Sequence, residues 1–222
     1  PSVPAQVGVH SHRTNNQKEF DDLLLSLYTE AFIFVSPDTN FVSEAWLQEL
    51  AGYLPMSAKI GAVGGKILDN NLNIVDGARL LLPKLPVIYE KYPDGYPGFW
   101  FNNLVANNVE MVSSLFMATN KSVYRDAGGL PIFAYGDAAG MVYCMALRQA
   151  GYRIVFNPWS KISINLKPVD TSKTDKPGAE KQVIYETLSE SELKDIYARL
   201  SAASNAPLYD RYYPPAFDRK HP

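Results

Sequence analysis

The chain has 222 residues, 46% of them hydrophobic and 20% charged, enough for one well-buried core or one domain with an appendage but not for two full domains. A formal charge of -2 gives no bulk attraction to nucleic acid or to an anionic membrane, and no local basic patch replaces it. The longest apolar runs fall short of the roughly 20 residues that a membrane span needs, and the first residues lack the basic and apolar pattern of a secretion signal.

From the N-terminus, His10 and His12 could share one face of a strand, but without a third ligand nearby the spacing reads as a surface strand and not a metal pair. Phe20, Leu23, Leu24, Leu27 and Tyr28 recur at helical spacing and predict an amphipathic helix. The apolar run Phe32-Ile33-Phe34-Val35 has no alternation, so it predicts a strand buried on both faces inside a parallel sheet. It stops at Ser36-Pro37-Asp38-Thr39. Asp38 then stands at a strand's carboxyl end, where open α/β sheets meet their ligands, or else it only opens a turn.

Ser43 is the expected cap of a second helix, with Trp46, Leu47, Leu50 and Leu54 as its buried stripe and Pro55 as its end. A strand over 60 to 68 carries Gly61, Gly64 and Gly65, which signal close backbone approach or tight packing. Residues 73 to 82 and 87 to 92 read as extended. The loop over 92 to 100, rich in Gly, Pro and aromatics, has Tyr96, Phe99, Trp100 and Phe101 at or beside it, able to stack on a sugar or base or to form a satellite core. A strand is expected over 109 to 118, a short helix over 121 to 127, a break at Gly128-Gly129, a helix over 138 to 149 with Arg148 suiting its dipole, and a final strand over 153 to 156. Cys144, the single cysteine, falls in that last helix among apolar residues; it excludes an intrachain disulfide framework, fits a reducing compartment and reads as an inert buried thiol. Residues 167 to 181 form a linker, Ser189-Glu190-Ser191-Glu192 a capping box before a helix, and 208 to 217 an extended Tyr- and Pro-rich tail. The expected division is therefore a domain over 1 to 166 with 167 to 222 packed on it.

This order of elements, with Phe34-Val35-Ser36-Pro37-Asp38-Thr39, Ile60-Gly61-Ala62-Val63-Gly64-Gly65-Lys66-Ile67, Met117 to Gly129, Arg148-Gln149-Ala150-Gly151-Tyr152-Arg153-Ile154, Asn157-Pro158 and Asp210-Arg211-Tyr212-Tyr213-Pro214-Pro215, resembles the inverting family 2 glycosyltransferases of O-antigen and rhamnosyl type. The resemblance implies an α/β GT-A fold, a mixed and mostly parallel sheet flanked by helices, here without a counterpart of the first βαβ unit. It implies transfer of a sugar from a UDP- or dTDP-linked donor to a polysaccharide or glycolipid acceptor, in the cytoplasm or at the inner face of a membrane. Ser36, Asp38 and Ser114 would meet the donor diphosphate, Asp38 would hold Mn2+ or Mg2+, Asp137 would be the general base, and Tyr96, Trp100, Tyr135 and Gly136 would contact the acceptor or its loop.

Three positions depart from the family pattern. The first acid of the metal motif is Ser36, and a later histidine falls on Ile164 when counted from Pro158. An alignment without gaps puts Ala139-Gly140 where Glu-Asp belongs, whereas matching Tyr135-Gly136-Asp137 to the family's Tyr-Gly-Glu-Asp makes Asp137 the acid. Asp137 could otherwise be only a helix cap. The alternative function is a catalytically silent GT-A-like domain serving as a scaffold or binding module within a longer chain.

Overall fold

The structure, a computed structural model, describes residues 16–36, 39–79, 89–131 and 137–165; for 137 and 138 it describes the backbone alone. Asp38, Tyr135, Gly136, both N-terminal histidines and the expected linker, C-terminal helix and tail lie outside the described residues.

Helix α1 (Gln17–Ser26) is opened by Asn16, whose side chain accepts from the N–H groups of Lys18 and Glu19. It ends at Ser26, short of the last two positions of its apolar spacing, because Leu27 leaves the helix with ψ 137° and Tyr28 points fully into solvent. Strand β1 (Ala31–Val35) follows, then β2 (Thr39–Phe41) and helix α2 (Trp46–Ala51). Ser43 is not the side-chain cap of α2. The N-cap position is Ala45, and Ser43 contributes only its carbonyl, which accepts from the Trp46 N–H at 3.2 Å. Strands β3 (Ile60–Leu68), β4 (Ile74–Asp76), β5 (Asn107–Val109) and β6 (Phe116–Asn120) lead to helices α3 (Lys121–Asp126) and α4 (Asp137–Gln149) and to β7 (Arg153–Ile164).

The strands form one seven-stranded mixed sheet in the order β1-β6-β3-β7-β2, with β4 joined to β3 and β5 to β7. Among the described pairings only β3 with β7 is parallel, so the balance is antiparallel and not the mostly parallel one expected. Strand β1 departs furthest from expectation. It ends the sheet's main strand order, pairs antiparallel with β6 and buries only Phe32 fully. The apolar run reflects packing rather than a central position: Phe32 and Phe34 contact the core beneath α3 and α4, while Ile33 and Val35 contact the core beneath α2.

That alternation continues through the central strands. Ala62, Met117, Ile154 and Phe156 face a core completed by α1, α3 and α4; Val63, Ala118 and Val155 face one completed by α2. The glycines of β3 allow close approach on both faces. A Cβ on Gly64 would lie 2.3 Å from the Val112 Cβ, and one on Gly65 2.2 Å from the Phe116 ring.

Strand β7 is longer than its sequence suggests. Phe156 pairs with Gly64, yet Lys161 already pairs with Lys66, so Asn157 to Ser160 bulge out around Pro158, which has no N–H for the ladder. The bulge is used. Asn157 donates to the Glu49 carbonyl at 2.7 Å and Ser160 to the Trp46 carbonyl at 2.7 Å, which fastens α2 to the sheet.

The expected strand over 109 to 118 is two strands, β5 and β6, separated by a turn at Ser113 to Leu115. Cys144 is buried as expected, and loss of solvation pushes its thiol up to about 11. Arg148 lies in the last turn of α4 as expected, and it also pairs with buried Glu110.

Candidate functional site

Because β1, β3 and β7 run in the same direction, their carboxyl ends share one rim of the sheet. The Ser36 N–H donates to the Leu115 carbonyl at 2.9 Å, joining the end of β1 to the turn before β6. Ser114, in that turn, is nearly buried, and Gly140 of α4 lies against it: a Cβ on Gly140 would be 2.6 Å from the Ser114 nitrogen. Three predicted positions, Ser36, Ser114 and the first turn of α4 that Asp137 opens, are thereby brought together. Thr39, just past Asp38, pairs with Ile164 at the same rim.

This packing shows what positions 139 and 140 of α4 can hold. Ala139 is buried in the core, and the approach of Ser114 leaves no space for a side chain at 140. A carboxylate cannot stand at either position. Asp137 is the only acid of α4, so the helix offers the rim a carboxylate from its first residue or not at all. Ile164, the position reached by counting from Pro158, is 5% exposed and lies with Leu50 and Ile162 in the core under α2.

The residues described at the rim do not make a metal site. Ser36 supplies a hydroxyl, Ile164 supplies nothing, and no group of three His, Cys, Asp or Glu residues converges among the described residues.

The aromatic loop between β4 and β5 packs over Leu68, at the carboxyl end of β3, and over Ile74 of β4. Part of this loop is a satellite core and part is exposed. Tyr96 packs with Tyr89, 5.4 Å between ring centroids, and with Tyr92 at 4.3 Å, forming a satellite core over Leu68 and Ile74. Trp100 and Phe101 are exposed at 81% and 64%, both with left-handed backbone, φ 51° and 60°.

Sequence reasoning missed what holds this loop down. Lys66 is wholly buried, and its Nζ donates to the Asp94 carbonyl (3.1 Å), to Asp94 Oδ1 (2.9 Å) and to the Asn103 carbonyl (3.1 Å). Asp94 Oδ2 also accepts from Lys161 at 2.6 Å. Burial draws the Lys66 ammonium below the usual lysine range despite its carboxylate partner. Burial alone would raise Asp94, but the hydrogen bonds from Lys161 and Lys66 outweigh it and hold the carboxyl below its ordinary value. The only signal in the sequence was a lysine inside a glycine-bearing apolar strand.

The described residues form a mixed seven-stranded sheet with helices on both faces, and the fold is of the GT-A type found in glycosyltransferases. Among solved structures the chain is similar to GalNAc-T7, determined with UDP, GalNAc and Mn2+, with a TM-score of 0.54 and 11% identity over 86% of this chain. The chain spans 36% of the length of that structure, and at this identity the likeness defines the fold alone. No protein-family model and no curated protein sequence matches the chain.

Proposed function

We propose that the chain is the catalytic part of a glycosyltransferase that takes a sugar from a UDP- or dTDP-linked donor and passes it to a glycan or glycolipid acceptor. The observation that carries this reading is the convergence of Ser36, the Ser114 turn and the first turn of α4 at one rim of a GT-A sheet. GalNAc-T7, of like fold, was solved with UDP and Mn2+, which supports a nucleoside diphosphate as the group met there. In this reading Ser36 and Ser114 approach the donor diphosphate and Asp38 is the carboxylate that would hold Mn2+ or Mg2+ against its charge. Asp137 takes the proton of the acceptor hydroxyl as it attacks the anomeric carbon from the face opposite the leaving diphosphate, giving inversion. Tyr135 and Gly136 precede that base on the acceptor side. The kinship to family 2 and a role in polysaccharide assembly rest on the motifs quoted from the sequence.

A second reading, a silent GT-A-like scaffold within a longer chain, is favoured by two observations: Ile164 is a core residue and Gly140 has no room for an acid. Calorimetry with UDP, with and without Mn2+, separates them. The transferase reading expects saturable heat that Mn2+ strengthens and Asp38→Asn weakens by about tenfold, close to 1.4 kcal/mol. No heat under any condition would leave the scaffold.

A further inference from the structure

A fully buried lysine with three acceptors in one loop is an unusual way to stabilise a strand. A methionine at position 66 would bury similar volume without desolvating an ammonium, so the lysine is better understood through what its hydrogen bonds fix. All three go to the loop between β4 and β5, and they grip it on both sides of Trp100 and Phe101, at Asp94 and at Asn103. Other partly buried polar bonds close the same segment. Asn103 donates to the carbonyls of Asp94 and Tyr96; the Tyr89 hydroxyl accepts from the Phe99 N–H at 2.6 Å and bonds Asn102 Oδ1 at 2.7 Å. Asn107 donates to the Asn102 carbonyl at 2.8 Å. Between these anchors two consecutive non-glycine residues are held in left-handed backbone and turn large rings outward. Such a conformation persists only where its surroundings over-determine it.

We propose that Lys66 is a positioning residue that locks the loop so that Trp100 and Phe101 form a rigid stacking platform for a pyranose ring of the acceptor. This rests on the transferase reading and adds to it the residue that presets the acceptor surface. The apolar face of a pyranose packs on an aromatic ring, and a preset platform avoids the ordering cost of a mobile one. Lys66 is two residues along β3 from Gly64, which faces Val112 in the core under α4, so the alternation of the strand turns Lys66 to the same sheet face as that helix.

The test is 19F NMR of protein labelled with 5-fluorotryptophan, whose three signals include Trp100, assigned by Trp100→Phe. In the wild type the Trp100 signal is expected to be single and narrow, and to shift on titration with at least one of maltotriose, cellotriose and chitotriose. Lys66→Met is expected to broaden or displace that signal and weaken the saccharide response at least tenfold, while UDP binding with Mn2+ stays within twofold. Asp94→Asn, at a partly exposed position, is expected to act in the same direction and keeps the test decisive if Lys66→Met fails to fold. A Trp100 signal unchanged in a folded variant, or one indifferent to all three saccharides in a wild type that binds UDP, would overturn the proposal. Absence of UDP binding together with an altered Trp100 signal in the variants and an intact saccharide response would instead overturn the transferase reading and leave the platform standing.

Discussion

Two adjacent stretches of strand β3 solve one problem, attaching a neighbour closely to the sheet, by opposite means. At Gly64 and Gly65 side chains are removed so that Val112 and Phe116 can approach. At Lys66, one residue on, a long charged side chain is buried whole and spends its donors on a loop. The first device fixes core packing, where any added atom is a clash; the second fixes backbone carbonyls, for which an apolar side chain has no grip. The comparison teaches that stability and loop geometry are separable in this fold, with different residues answering for each.

The sharpest way to break it is at the glycines. Gly64→Val should destabilise the fold by about 3 kcal/mol or more, because the Val112 side chain meets the new atoms from the start and cannot move without opening the core. Urea unfolding reads this directly. Gly140→Asp, which restores an acid at the position of the ungapped register, should cost about 2 kcal/mol and yield no gain in activity, since the obstruction is the Ser114 backbone. Recovered activity in that variant would mean that the α4 register is misjudged.

Lys66→Met should be milder, about 1 kcal/mol in global stability by the same urea measurement, because Asp94 keeps Lys161 and is partly exposed to solvent. A loss as large as that at Gly64 would erase the distinction between the two devices. The smallest effect concerns pH. The folded Asp94 carboxyl is held below its unfolded value, so its contribution is present above the ordinary carboxylate range and is lost as pH falls through the folded value. Hydrogen exchange of the loop amides, Asn103 and Leu104 among them, should accelerate in that acid window before the core amides respond. Simultaneous acceleration of both would show that the loop has no stability of its own.

How much of this was legible follows the same divide. The span of β3, the helical spacing of α4 and the buried thiol of Cys144 come from periodicity, and periodicity is a local property of the chain. The place of β1 at the end of the described strand order was hidden because its apolar residues serve two cores at once, a pattern that a central strand shares. The continuation of β7 past Pro158 was hidden because the bulge depends on α2, more than a hundred residues away. At the site, Ser36, Ser114 and Asp137 could be selected by resemblance, but the exclusion of an acid from 140 needed the Ser114 backbone beside it. The Lys66 anchor needed Asp94 and Asn103 folded back over the strand, and no spacing rule carries that information.

The central claim, that the rim around Ser36, Ser114 and α4 binds a nucleotide-sugar and uses Asp137 as base, is tested most directly by measuring UDP release from UDP-linked sugars alongside UDP affinity in Asp137→Asn. The account predicts unchanged UDP affinity with release slowed by about a hundredfold or more. Release at the wild-type rate in that variant would contradict it.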